Sequence, residues 1–256
     1  MGERVARKKR RISKAQKWQY LGLAVLGLIT TAVVAFTLTP PKPSLEVRAP
    51  VAQQPPPASA APTATPSQAA PAFAIPKGRP VRVLFTGDSL SSGFFASTKA
   101  KAFPSLVGER LGNVEVTQAA LAHQTLTTVS RVTDVPAGLD LAVVELGTND
   151  VGVPTPMPTF RAQYGDLLAK IQAKSPGATI VCLGTWSPTG QAYDESIANA
   201  CTKVKGRYVS LADADASIAN HGPAGVQTQA GISDEFHPND SGHRAIADLV
   251  ISALGL

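Results

Sequence analysis

Five short apolar runs beyond residue 80 do most to limit how this chain can fold: VRVLFTG (81–87), VEVTQAAL (114–121), LDLAVVELG (139–147), ATIVCLG (178–184) and RYVSLA (207–212). Each has the length of a strand, and most end at glycine or another small residue. Between them lie helical patterns, the clearest at 158–174 and 241–256. Strands alternating with helices predict a parallel sheet covered on both faces. The central runs lack polar alternation, as strands buried on both sides do. The expectation is an α/β fold, a three-layer α/β/α sandwich whose five-stranded parallel sheet follows the flavodoxin-like, doubly wound order. Residues 80–256 suffice for one domain with its own core. In such sheets ligands bind beyond the carboxyl ends of the strands, so functional residues should follow the runs.

The first eighty residues have a different composition. Residues 1–17 carry eight Lys or Arg and one Glu, a net +7, while the whole chain is +6, so the remainder sums to −1. The excess charge belongs to a tail, and no nucleic-acid partner is expected for the folded part. Residues 18–41 hold no charge, and their apolar centre is long enough to cross a bilayer as a helix. Lys and Arg crowd its N-terminal side, which places the N-terminus in the cytoplasm and the rest outside. The expected layout is a basic cytoplasmic tail (1–17), a transmembrane anchor (18–39), a Pro/Ala-rich disordered linker (40–79) and a domain over 80–256. A cleaved signal, with Val33 and Ala35 at its small-residue site, is the alternative. The stretch 40–80 holds 12 of the 21 prolines and reads as an extended spacer. Cys182 and Cys201, an even count in a chain that leaves the cytoplasm, permit one disulfide; two buried thiols are the other reading.

Four polar segments fall where a site should lie. Gly87-Asp88-Ser89 follows the first run, Ala122-His123-Gln124-Thr125 the second, Gly147-Thr148-Asn149-Asp150 the third, and Asp234-Glu235-Phe236-His237-Pro238 precedes the last helix. A serine hydroxyl needs a base, and the base needs an orienting group. His237 fits the base for Ser89, and Asp234, three residues earlier, fits its partner. The Ser89 N–H and the Asn149 amide fit an oxyanion hole. Taken singly, each segment is also an ordinary turn or helix cap. The absence of Gly-x-Ser-x-Gly argues against an α/β-hydrolase nucleophile elbow. Trp186 and Gly147 are candidates for a substrate wall. Asp88 is expected to hold the serine loop, His243 to pack or cap, and His221 to be solvated. No zinc-ligand spacing or phosphate loop is present, and no cofactor is expected.

With those residues in view, the segment 80–256 resembles the SGNH hydrolases, also called the GDSL esterase/lipase family. GDSL at 87–90, GTND at 147–150 and DEFHPNDSGHRAIAD at 234–248 look like its first, third and last blocks. The resemblance implies Ser89 as nucleophile, His237 as base, Asp234 as its partner and Asn149 as oxyanion donor. One block departs: in VTQAALAHQTL (116–126), His123 stands where the family places a glycine whose N–H completes the hole. Either His123 donates its N–H as glycine would, or its ring contacts substrate, or the hole is impaired. The implied activity is hydrolysis of an acyl ester, and the tethered location outside the cytoplasm points to envelope polysaccharide or lipid as the substrate. The alternatives are acyl transfer to a sugar hydroxyl and an impaired glycan- or wall-binding module.

Overall fold

The structure, a computed structural model, describes residues 71–256. The basic tail, the expected membrane span and most of the linker lie outside the described residues. Among those described, no helix is long and apolar enough to cross a membrane.

The elements in chain order are β1 (Val81–Gly87), α1 (Phe103–Leu111), β2 (Val114–Ala120), α2 (Leu126–Val132), β3 (Leu141–Glu145), α3 (Thr148–Gly152), α4 (Met157–Lys174), β4 (Thr179–Leu183), α5 (Gln191–Lys203), β5 (Arg207–Val209), α6 (Ala212–Ala216), a short hairpin of β6 (Gln227–Thr228) and β7 (Gly231–Ile232), and α7 (Asp240–Leu254). The main sheet is parallel throughout, in the order β2-β1-β3-β4-β5. That is the doubly wound order expected from the alternation of runs. The β6–β7 hairpin was not anticipated; two-residue strands leave no periodicity to read.

The inner strands do alternate, between two apolar faces. Val83 and Phe85 of β1, with Val143 of β3, pack against Phe103 and Val107 of α1 and Ile246 and Val250 of α7. Leu84, Ala142 and Val144 face the other way, onto Leu126, Phe160, Leu168 and Ile197 of α2, α4 and α5. Period-two geometry thus feeds both layers, and a run buried on both sides shows no polar interval. Helix α7 is closed at both ends. The Asn239 side chain accepts from the N–H groups of Ser241 (2.9 Å) and Gly242 (3.1 Å), and Gly255 ends the helix at φ 74°.

Cys182 of β4 and Cys201 of α5 form a disulfide with a Cα–Cα distance of 6.1 Å, pinning the helix to the sheet. The domain also starts earlier than composition suggests. Phe73 is buried and its N–H donates to Leu254 O (2.7 Å), while Arg79 makes a bidentate ion pair with Asp140 at 2.6 and 2.7 Å. The last residues assigned to the linker therefore belong to the fold, because one aromatic anchor outweighs its Pro/Ala surroundings. The disulfide joins residues 19 apart, so closing that loop should contribute about 3 kcal/mol. Urea melts with and without a thiol reductant measure it; unchanged stability on reduction would contradict the bridge.

Candidate active site

Gly87 ends β1 because nothing larger fits. A Cβ there would lie 2.5 Å from Glu145 O and 2.1 Å from Ser91 Oγ. The close approach lets the chain turn sharply at Asp88 and present Ser89 at the strand's carboxyl end. Ser89 is only 2% exposed, and its Oγ lies 3.0 Å from His237 Nε2. On the far side of the ring, Nδ1 lies 2.8 Å from Asp234 Oδ2. A carboxylate only accepts, so Nδ1 carries the hydrogen and Nε2 is left to accept from the serine hydroxyl. Asp88 Oδ1, at 3.4 Å from Ser89 Oγ, is the weaker alternative acceptor.

The turn before α7 fixes the Asp234–His237 geometry. Asp234 Oδ1 accepts from the N–H of Phe236 (3.0 Å) and of His237 (2.8 Å), leaving Oδ2 for the imidazole. Burial pushes Asp234 up, but the backbone N–H and imidazole of His237 outweigh it and hold the carboxyl below its usual range. His237 is shifted down: burial disfavours its charge, Asp234 opposes that, and His123 adds to the lowering. The imidazole is therefore held toward its neutral form, the form able to accept a proton.

The GTND segment opens α3, and each of its polar residues has a separate partner. Thr148 Oγ1 accepts from Trp186 N–H (3.0 Å). The Asn149 amide donates to Gln124 O (3.2 Å), tying it to the loop after β2. Asp150 Oδ2 accepts from Leu126 N–H (2.9 Å) at the start of α2, and its Oδ1 takes the Thr155 hydroxyl. His123 has φ 62°, the left-handed conformation glycine adopts without strain. Among the described residues neither the Ser89 N–H nor the His123 N–H donates a hydrogen bond. Two amides without acceptors and one amide side chain thus lie on the turns that leave three neighbouring strand ends.

Two expected wall residues are elsewhere. Trp186 is fully buried in the core, and its Nε1–H donates to Phe236 O (2.9 Å), so it braces the histidine turn from beneath. Gly147 is buried at φ 129°, with Thr185, Ile197 and Phe160 where a Cβ would stand, and presents nothing to substrate. His221 is also not solvated: it packs on Trp186 with centroids 5.0 Å apart, and its Nδ1 meets Phe236 O at 2.8 Å. His243 packs as expected. Its Nδ1 accepts from Phe103 N–H (3.4 Å) and Nε2–H donates to Phe94 O (2.8 Å), while burial lowers its pKa to about 4.

The surface around the base is aromatic, which sequence reading missed. Phe95, Phe236 and Phe94 have ring centroids 5.1, 5.2 and 5.5 Å from that of His237, and His123 stands 5.1 Å from Phe94. The signal was present in SGFF (92–95) and EFHP (235–238). Among the described residues no cluster of His, Cys, Asp and Glu could hold a metal ion.

A serine, a neutral histidine and a carboxylate in series at a sheet edge, with free N–H donors beside them, define an arrangement suited to acyl-ester chemistry. The GDSL-like lipase/acylhydrolase family model matches residues 85–245, and the chain belongs to that family; it is an ester hydrolase. No curated protein matches the sequence. Among solved structures, a putative GDSL-like lipase from Parabacteroides merdae is similar at 15% identity and TM-score 0.57, covering 72% of this chain and 99% of that one. A Geobacillus acetyl-xylooligosaccharide esterase is similar at 16% identity and TM-score 0.55, covering 70% and 96%. A family two carbohydrate esterase from Clostridium thermocellum is similar at 15% identity and TM-score 0.50, covering 68% of this chain; the chain spans 63% of that protein's length. At these identities the likeness is one of fold.

The opposed influences on His237 can be separated. Asp234→Asn should lower the His237 midpoint further, because the carboxylate is what raises it. Imidazole proton shifts followed by NMR against pH measure this, and an unchanged or raised midpoint would contradict the pairing.

Proposed function

We propose that this protein is a membrane-anchored, extracytoplasmic serine esterase that removes an acyl group from a carbohydrate-borne ester, working through Ser89, His237 and Asp234. The observation that carries the proposal is the relay of 3.0 Å from Ser89 Oγ to His237 Nε2 and 2.8 Å from His237 Nδ1 to Asp234 Oδ2. Ser89 Oγ attacks the ester carbonyl carbon as its proton passes to Nε2. The oxyanion is received by the N–H groups of Ser89 and His123 and by the Asn149 amide. Collapse breaks the bond to the alcohol, which leaves with the proton from Nε2. Water then gives a proton to Nε2 and attacks the acyl-enzyme; collapse returns the proton to Ser89 and releases the acid.

His123 takes the glycine role in this reading. Its positive φ costs about 1–2 kcal/mol for a residue with a Cβ, but histidine tolerates that region better than most. The backbone conformation and its unused N–H support donation, and argue against an impaired hole. The glycan assignment is supported by carbohydrate esterases of the same fold. The envelope location is supported by the uncharged run 18–41 beside a basic tail, and by a disulfide that favours an oxidising compartment.

The full chain should hydrolyse an activated acetyl ester. Ser89→Ala should lower kcat/KM by at least about ten-thousand-fold, and Asn149→Ala should lower kcat by about 100- to 1,000-fold. Activity should fall with acid as His237 gains its proton, with a midpoint below 6.5. Product appearing only when a sugar acceptor is added would replace hydrolysis by acyl transfer. Full activity in Ser89→Ala would overturn the proposal.

A further inference from the structure

Directly beneath the serine loop lie two carboxyls that the reaction does not use. Asp88 and Glu145 are both fully buried, at the ends of the neighbouring strands β1 and β3. Glu145 Oε2 accepts from Asp88 N–H (3.2 Å), Ser91 N–H (3.2 Å) and the Ser91 hydroxyl (3.0 Å). Asp88 Oδ1 accepts from Leu90 N–H (3.2 Å). Four of the hydrogen bonds made by the turn 88–91 therefore end on one of these two side chains, and the Gln118 side chain adds another at Ser91 O. Their other oxygens, Asp88 Oδ2 and Glu145 Oε1, have no partner.

Nothing nearby neutralises the pair. Among the described residues neither carboxyl forms an ion pair with lysine, arginine or histidine. The groups facing them are Ser89 and Ser91 from the turn, the Asn149 amide from α3, and the buried Tyr164 phenol from α4. The phenol has a hydrogen to offer, but its oxygen is itself unpartnered. Leu183, beside Glu145 on β4, is apolar. Two uncompensated anions in one dry site cost several kcal/mol each, and like charges sharing a site resist joint ionisation. A single hydrogen shared between the two orphan oxygens would satisfy both, and the Glu145 carboxyl already sits 3.2 Å from the Asp88 N–H.

We propose that Glu145 is protonated in the working enzyme and donates from Oε1 to Asp88 Oδ2, so that the pair is the positioning element of the nucleophile turn. Burial, reinforced by the Asp88 charge, lifts Glu145 well above the usual carboxylate range. Burial also raises Asp88, to about 6, against the lowering effect of the Leu90 N–H and of the neighbouring polar groups of Glu145, Asn149 and Ser89. Both folded-state values exceed the unfolded ones, so the pair favours the fold most at low pH. That contribution falls as pH rises above the unfolded carboxylate range, the Asp88 part being spent near 6 and the Glu145 part at higher pH. The second ionisation would place two anions under Ser89 and push the turn out of register with His237.

The role attributed to the turn rests on Ser89 being the nucleophile; the shared proton does not. Glu145→Gln replaces the donor with an amide N–H and keeps an oxygen for the three bonds at Oε2. It should keep kcat within about threefold of wild type at neutral pH and abolish the alkaline decline of both kcat and the thermal midpoint. Glu145→Leu, which cannot receive those bonds, should lose about 100-fold in kcat through a displaced nucleophile. A Gln variant as impaired as the Leu variant, or one that keeps the alkaline decline, would overturn the proposal. Infrared spectra need no activity: at about pH 8, wild type and Ser89→Ala should both show the carbonyl stretch of a protonated carboxylic acid, and Glu145→Gln should not. Absence of that band from wild type would overturn the shared proton. Its presence alongside an active Ser89→Ala would leave the buried pair intact and remove only the nucleophile.

Discussion

Parallel pairing of β1 with both β2 and β3 is the constraint on which the site depends. β1 lies between the other two, with Gly87 registered against Ala120 and against Glu145. Three carboxyl ends therefore stop at one level, and the turns leaving them carry Ser89, His123 and Asn149. The chain leaves β1 toward one edge and returns to β3 on the other side, which opens a crevice at the point of reversal. His237 then arrives from a turn 148 residues beyond the serine, set by the cap of α7 and the Trp186 donor under Phe236 O.

Such a crevice collects polar groups in a place with little water. Most groups are satisfied by a specific partner: Asp150 caps α2, Thr148 meets Trp186, and Asp234 divides its two oxygens between backbone and imidazole. Unpaired buried groups cost about 1–3 kcal/mol, so those few left open carry information. Among the described residues the N–H groups of Ser89 and His123 have no acceptor, and the proposed reaction would use them as donors. The open oxygens of Asp88 and Glu145 are likewise buried acceptors without a donor, which a shared proton would supply. Burial lowers the basicity of His237 and raises that of the two carboxyls, the same desolvation acting on opposite charge types.

Strand order and the core relay were legible because small polar residues interrupt apolar runs abruptly, and such interruptions are costly unless they sit at a strand end. Ser89 and Asn149 lie at such breaks, while Asp234 and His237 stand out as an acid and a histidine three residues apart just before the last helical pattern. Trp186 lies at such a break too, yet it points inward, since a tryptophan whose Nε1–H finds a carbonyl can be wholly buried. Glu145 was overlooked although it is the only charge inside LAVVE; a buried acid reads as a strand end until its neighbours are known. The disulfide needed the spatial closeness of β4 and α5, which spacing alone left open. Phe73 vanished into the average composition of a Pro/Ala tract, and the phenylalanines around His237 were hidden because they come from two distant segments.

The central claim is that Ser89 is an activated nucleophile whose hydroxyl proton is taken by His237. Treating the native chain with a fluorophosphonate and mapping the adduct by peptide mass spectrometry tests it most directly. A single adduct on the peptide containing Ser89, lost in both Ser89→Ala and His237→Ala, is the expected result. An adduct on another residue, or none on the folded chain, would contradict it.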